Sequence, residues 1–68
     1  MRAAPVHVEP TAEGRWTVRH ENQRQPLSEH ESATDAQRVA LTVARDDHAP
    51  FVVLHDRYAR THRLRAES

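Results

Sequence analysis

The sequence predicts a single small α+β domain in which one helix packs on a mainly antiparallel sheet. Three observations predict this class. Apolar residues alternate with a period of two in the first part of the chain, which is typical of half-buried strands. Between residues 32 and 47 the apolar period lengthens to 3.6, which is typical of an amphipathic helix. A short apolar run, "FVVL", then returns to strand-like composition, so the predicted order of elements is β-β-(β)-α-β-β.

Two strands joined by a tight turn are predicted near the beginning of the sequence. In "VHVEP", Val6 and Val8 point to one side, and Pro10 ends the strand because proline cannot donate a ladder hydrogen bond. "TAEG" has the composition of a turn. In "RWTVRH", the alternation points Trp16 and Val18 inward, so we expect both side chains in the core.

The predicted helix buries a stripe of small residues. Its apolar positions recur at the helical spacing and are Ala36, Val39, Ala40, Val43 and Ala44. Two N-terminal caps fit the sequence, either Ser32 with Asp35 or Thr34 with Gln37. The helix should end near residue 47 or 48, because the proline that follows cannot continue it. The alanines of the stripe predict a helix that lies close to the sheet.

Three further strands complete the predicted sheet. "LSEH" forms at most a short third strand, with Leu27 as its apolar anchor. "FVVL" does not alternate, so we expect an interior strand that includes Val53 and is covered on both faces. His55 follows this run and is expected to hydrogen-bond the next turn. "RTHRLR" returns as an edge strand, with Arg63 and Arg65 on the same face.

Several of these segments are informative through their order and spacing. They are the valine-rich first strand ending in proline, "GRWTV", "SATDAQRVALTVA" with Ser32 four residues before Ala36, and "VVLH". From about residue 6 to residue 63 the chain resembles the bacterial domain of unknown function 2188 family. The resemblance implies the same fold and no assigned activity. Where the family has Asp-Gly in the last turn, this chain has Tyr58 and Ala59, so a looser or longer final hairpin is expected.

Length and composition limit the core and the kinds of site. The chain has 68 residues, so we expect one domain over residues 1–68, with an ordered core at about residues 5–65 and frayed termini. It has no cysteine, which excludes disulfides and thiolate metal sites. The absence of cysteine, and of any apolar run typical of a signal peptide or a membrane span, predicts a cytoplasmic protein.

The six histidines do not predict a metal site. Zinc sites usually contain a close histidine pair, whereas successive histidines here are at least seven residues apart, and only a cross-strand meeting such as His55 with His62 would make a weak site. We therefore assign no metal and no cofactor. We also assign no catalytic residues and no enzymatic activity, because "HDRY" lies on a predicted turn and so small a chain has little volume for a pocket.

An arginine-rich segment is the candidate binding surface. Residues 57–65 hold four arginines and no acid, whereas residues 21–35 hold four acids and one arginine. The candidate residues are Arg57, Tyr58, Arg60, Arg63 and Arg65. Arginine suits phosphate recognition, and a basic strand beside an aromatic residue suits single-stranded nucleic acid. A charged edge strand is also how sheets avoid pairing with other chains, and that interpretation needs no ligand.

Besides the interpretation of residues 57–65 as a charged edge without a ligand, two hypotheses about function follow from the sequence. The leading hypothesis is a non-enzymatic interaction module that binds a protein partner or a second copy of itself, with the acidic segment around Glu29 and Glu31 supplying complementary charge. The alternative is a weak nucleic-acid-binding accessory protein that uses residues 57–65. Ten acids balance ten arginines, so the chain lacks the basic excess typical of dedicated nucleic-acid binders. No membrane partner is predicted.

Overall fold

A five-stranded sheet carries one helix on one of its faces in the part of the chain that this computed structural model describes, residues 4–65. The elements are β1 (Val6–Pro10), β2 (Trp16–His20), β3 (Ser28–His30), α1 (Ala33–Asp46), β4 (Phe51–His55) and β5 (Thr61–Arg65). This order confirms the predicted α+β class. The expected fraying of the termini concerns residues 1–3 and 66–68, which lie outside the described residues. Within the described range, no helix is long and apolar enough to cross a membrane.

The strands lie in the order β3-β2-β1-β4-β5 across the sheet. Strand β1 occupies the centre, where it pairs antiparallel with β2 and parallel with β4. The pairs β2–β3 and β4–β5 are antiparallel, so the sheet is mainly antiparallel, as predicted. Helix α1 makes the crossover from the β3 edge back to β4, because a short hairpin cannot join parallel strands.

The core lies between α1 and the sheet, and its fully buried side chains are small. They are Val6, Val8, Val18, Val52, Ala36, Ala40 and Ala44. The three alanines recur every fourth residue along α1, and their small side chains let the helix backbone approach the sheet. Val39 and Val43 are partly buried and pack against this core, and Trp16 does the same at its margin.

The Ser32 side chain caps the N-terminus of α1. Its hydroxyl accepts a hydrogen bond from the backbone N–H of Asp35 at 3.1 Å. Of the two caps that fit the sequence, Ser32 is therefore the correct one and Thr34 lies inside the helix. The bond satisfies one of the backbone donors that a helix leaves unpaired at its first turn.

Two backbone hydrogen bonds close the C-terminal end of α1. The Ala49 N–H donates to the Ala44 carbonyl at 2.8 Å, and the His48 N–H donates to the Arg45 carbonyl at 3.2 Å. This pair of bonds is a Schellman ending, which requires one residue in the left-handed conformation. His48 takes that conformation, with φ 57°. The predicted end of the helix near residue 47 or 48 is confirmed.

Leu27 does not anchor β3, and that prediction is wrong. The Leu27 N–H donates to the Val18 carbonyl at 2.7 Å, but the residue is 46% exposed. The register explains the exposure: Ser28 lies opposite Val18 on the helix-covered face, so alternation turns the side chain of Leu27 to the other face. Backbone pairing with β2 therefore holds β3 in the sheet.

Helix α1 covers only one face of β4, so the prediction of cover on both faces is wrong. Val52 is fully buried on the α1 side, whereas Phe51 and Val53 lie on the opposite face and are partly exposed. The guanidinium of Arg63 lies 4.7 Å from the centre of the Phe51 ring. The apolar run of β4 reflects instead its interior place in the plane of the sheet, between β1 and β5.

The β1–β2 and β4–β5 hairpins end in loops of the same kind. In the first loop the Gly14 N–H donates to the Thr11 carbonyl at 3.1 Å, and Gly14 has φ 84°. In the second loop the Ala59 N–H donates to the Asp56 carbonyl at 3.3 Å, and Ala59 has φ 63°. Each is a three-residue loop whose last residue is left-handed, a place that favours glycine. Ala59 therefore carries a conformational cost in the final hairpin that Gly14 avoids in the first one.

Replacing Ala59 with glycine should stabilise the domain. A left-handed conformation costs a non-glycine residue about 1–2 kcal/mol. Glycine avoids this cost, but it loses more conformational entropy on folding, which offsets part of the gain. We expect a net gain of about 0.5–1 kcal/mol, which raises Tm by roughly 2–8 °C in a domain of this size. The matched control is Ala12→Gly in the other loop, where φ is not positive and the same change should lower Tm. A midpoint for Ala59→Gly at or below that of the wild type would contradict this assignment.

Candidate functional site

The sheet face opposite α1, hereafter the open face, holds the polar and charged side chains of the strands. Strand alternation and the register place eleven residues on it: Glu29, Thr17, Arg19, His7, Glu9, Phe51, Val53, His55, Thr61, Arg63 and Arg65. Within β1 to β4 the face carries both acidic and basic groups. At β5 its charged residues are both arginines, so charge is distributed unevenly across the face.

An arginine–carboxylate pair lies near the middle of the open face. Arg19 Nε donates to Glu9 Oε1 at 3.0 Å and Arg19 Nη2 to Glu9 Oε2 at 3.2 Å. These hydrogen bonds hold the pKa of Glu9 below its usual value and raise the pKa of Arg19, so both groups stay charged. Arg19 Nη1 also lies within hydrogen-bonding distance of the backbone carbonyl of His20 at the end of β2 and of two carbonyls in the loop that follows, those of Glu21 and Gln23.

Two histidines from different strands meet beside this pair. His7 Nδ1 lies 2.9 Å from His55 Nε2, and His7 Nε2 lies 2.9 Å from Glu21 Oε1. A carboxylate only accepts, so His7 Nε2 donates to Glu21, and in a neutral His7 the Nδ1 atom then accepts from His55 Nε2. His55 thus bonds to His7 and not to the following turn, and that prediction is wrong. Residues 4–65 contain no group of three or more histidine, aspartate or glutamate side chains placed to hold a metal ion.

Arg57 joins the two hairpin loops. Its Nη2 donates to the Gly14 carbonyl at 3.3 Å, and its guanidinium lies 5.3 Å from the centre of a Trp16 ring. The two loops lie side by side because β1 and β4 are parallel neighbours. Arg57 therefore binds to the first hairpin of its own chain and is not one of the arginines that β5 carries on the open face.

Arg60 is paired within the β4–β5 loop. Its Nε lies 3.1 Å from Asp56 Oδ2, and its guanidinium lies 5.6 Å from the Tyr58 ring centre. Asp56 also accepts the backbone N–H groups of Arg60 at 3.0 Å and Tyr58 at 2.8 Å. These backbone bonds lower the pKa of Asp56 to about 2, so the partner of Arg60 stays ionised near neutral pH.

Arg63 and Arg65 are the members of the candidate surface that lie together on the open face. Arg63 is opposite Val53 and Arg65 is opposite Phe51, and both arginines are exposed. Within residues 4–65, no carboxylate forms an ion pair with either arginine. We call Phe51, Val53, Arg63 and Arg65 the basic corner. The five-residue candidate surface thus divides into two arginines at this corner and three residues of the β4–β5 loop.

The fold and this surface define a small α+β domain with one helix-covered sheet face and one uncovered, polar face. The model of a family described as "Uncharacterized protein conserved in bacteria (DUF2188)" matches residues 6–66. The chain therefore belongs to this family, which confirms the resemblance noted in its sequence. No significant match was found among curated proteins or among solved structures.

Proposed function

We propose that this protein is a non-enzymatic interaction module that binds an acidic polypeptide segment at its basic corner. One observation carries the proposal: Arg63 and Arg65 lie exposed on the open face, beside the partly exposed Phe51, with no ion-pair partner in residues 4–65. Arginine beside an aromatic surface is typical of interaction sites, and its planar group binds carboxylates with two hydrogen bonds.

The backbone of β5 supports an extended partner. The Asp56 N–H donates to the Arg60 carbonyl at 2.9 Å, which fixes the alternation of the hairpin ladder. By that alternation, the N–H and C=O groups of Thr61, Arg63 and Arg65 point away from β4. An extended segment can add to this edge as a further strand, with its acidic side chains opposite the two arginines.

A polypeptide fits this surface better than a nucleic acid does. The open face also holds Glu9 and Glu29, and Glu21 lies at its margin through its bond to His7, so phosphates crossing the face would meet carboxylates. Arg57 and Arg60, which the nucleic-acid hypothesis needs, are engaged in the loops. Two remaining arginines can neutralise about two phosphates, which gives only weak binding at physiological salt.

The absence of enzymatic activity and a cytosolic location belong to the same proposal. The two histidines and the Glu9–Arg19 pair at the middle of the open face bond to neighbouring side chains, and no buried side-chain nitrogen or oxygen in the described part of the chain lacks a partner. Catalysis instead needs a base or nucleophile with free access to a substrate. A composition without cysteine supports a reducing compartment.

The test is an amide chemical-shift titration at low salt with a blocked peptide of alternating glutamate and valine. We expect shifts confined to β5 and the neighbouring part of β4, which weaken as salt rises. The double variant Arg63→Glu with Arg65→Glu should abolish them. The control Arg38→Glu with Arg45→Glu makes the same charge change at exposed positions of α1 and should leave them unchanged. Absence of shifts in β5 would refute the proposal, as would tighter binding of a single-stranded oligonucleotide.

A further inference from the structure

An acidic patch lies at the edge of the sheet away from the basic corner. Glu29 is the open-face residue of β3, and the exposed Glu31 follows that strand directly. Arg15 pairs with Glu29 at 3.1 Å, but both side chains remain 47% exposed. Glu31 forms no ion pair within residues 4–65. We call Glu29 and Glu31 the acidic corner.

The two corners lie diagonally across the open face. Strands β3 and β5 are its opposite edges. Along the strand direction, the register sets Arg63 level with Val53 and His7. It sets Glu29 level with Glu9, two residues nearer the hairpin loops. Arg65 lies further than Arg63 from the hairpin loops, and Glu31 lies further than Glu29 towards them. The basic and acidic corners are therefore separated both across the strands and along them.

We propose that the acidic segment bound by the basic corner is the acidic corner of a second copy of this chain, in a two-fold symmetric dimer with its open faces towards each other. The proposal rests on the proposed function and names its partner, whose carboxylates reach the two arginines from above the open face instead of through a strand added to the β5 edge. The two-fold axis lies between the faces, at right angles to the line that joins the two corners. That axis places each basic corner over the acidic corner of its partner, so every charge contact forms twice.

The middle of the interface is compatible with this arrangement. The Glu9–Arg19 pair and the His7–His55 pair have partners within their own chain, so contact with another copy leaves no charge newly unpaired. Phe51 and Val53 supply the apolar area. Edge-to-edge pairing of β5 with β5 of another copy is disfavoured instead, because it brings the arginines of the two strands together.

The size of the face predicts a weak dimer. Four strands of five residues and the three-residue β3 cover at most roughly 20 by 17 Å, or roughly 340 Å². This area is well below the ~800 Å² of accessible surface that each partner buries in a stable complex. Association should therefore depend on concentration and on charge. Exposed ion pairs are screened over about 10 Å at 0.1 M salt, so added salt should dissociate the dimer.

Sedimentation equilibrium of the full chain with two charge-reversal variants tests the proposal. The acidic variant is Arg63→Glu with Arg65→Glu, and the basic variant is Glu29→Arg with Glu31→Arg. At about 20 mM salt the wild-type mass should rise with concentration above the monomer value of 7.8 kDa, and at about 0.5 M it should return to that value. Each variant alone should remain monomeric, because its two corners then carry the same sign. An equimolar mixture should associate again, because each corner of one variant then meets the opposite sign on the other.

The outcomes separate this inference from the proposed function. A wild type that stays monomeric at low salt overturns the dimer, and so does a mixture of the variants that fails to associate. Dimers that persist in both variants place the interface elsewhere and overturn it as well. If the wild type is monomeric but the acidic peptide still shifts the amides of β5, only the second copy is excluded as partner. If the peptide also leaves β5 unchanged, the proposed function fails with it.

Discussion

Replacing Trp16 with alanine should remove a large part of the stability of the domain. Trp16 packs at the margin of a core whose fully buried side chains are all valine or alanine within residues 4–65, so no larger buried residue compensates for its loss. Truncating a packed tryptophan costs about 3–5 kcal/mol, and we expect the lower end because the ring is partly exposed. A domain of this length has a total stability of roughly 3–10 kcal/mol.

The measurement is urea denaturation together with amide dispersion. The matched control is Tyr58→Ala, which removes an aromatic ring from the neighbouring loop at a position that is 78% exposed. We expect this control to change the free energy of unfolding by less than about 0.5 kcal/mol. A well-dispersed spectrum and an unshifted urea midpoint for Trp16→Ala would show that the ring does not support the core.

Replacing Ala40 with leucine should be nearly as damaging, for the opposite reason. Ala40 is fully buried at the middle of the alanine row that faces the sheet. Added methylenes in a packed core cost about 1–3 kcal/mol, and more where backbones must separate. Here α1 must move away from β1 and β2, which would expose valines on both strands. We expect a loss of about 3 kcal/mol in the free energy of unfolding, measured by urea denaturation.

The control for this substitution is Arg38→Leu. It introduces the same side chain two residues earlier, at an exposed position of α1. Helix propensity changes little between arginine and leucine, so the stability should stay within about 0.5 kcal/mol of the wild type. Equal stability of the two leucine variants would mean that α1 does not lie close to the sheet at Ala40.

Local signals explain which parts of the fold the sequence predicts. Both hairpins follow from alternation and turn composition, and the approximate helix ends follow from the two possible caps, Ser32 and Thr34, and from the proline after α1. The alanine row follows from its period. The placement of Arg63 and Arg65 on one face also follows from alternation, because it needs no knowledge of the neighbouring strands.

The polar network of the open face had a weaker signal. In β1 and β2, alternation places His7, Glu9 and Arg19 on one face, and this pattern predicts the Glu9–Arg19 pair once the hairpin register is known. The bond between His7 and His55 has no such signal. It depends on parallel pairing of two strands that lie 48 residues apart at that bond, and no turn fixes such a register.

The arginine segment appeared continuous in the sequence because the contacts that divide it form only in the folded chain. Arg57 contacts Gly14 and Trp16 of the first hairpin, through the same parallel pairing. Arg60 is held by Asp56, whose backbone bonds depend on the conformation of the loop. Similarly, "FVVL" predicted cover on both faces because an apolar run cannot distinguish a second layer from an arginine lying over a phenylalanine.

The central place of β1 has a consequence for the order of folding events. The innermost strand of the sheet comes from the start of the described chain, and one of its two neighbours, β4, follows only after the crossover helix. During synthesis, β1 therefore lacks one of its two neighbours until residue 55 has left the ribosome. A lone hairpin is at most marginally stable in water. Pairing of β1 with β4 requires the closure of a long loop, so we expect this step to limit the rate of folding. Folding should therefore be slower than in a helical protein of equal length.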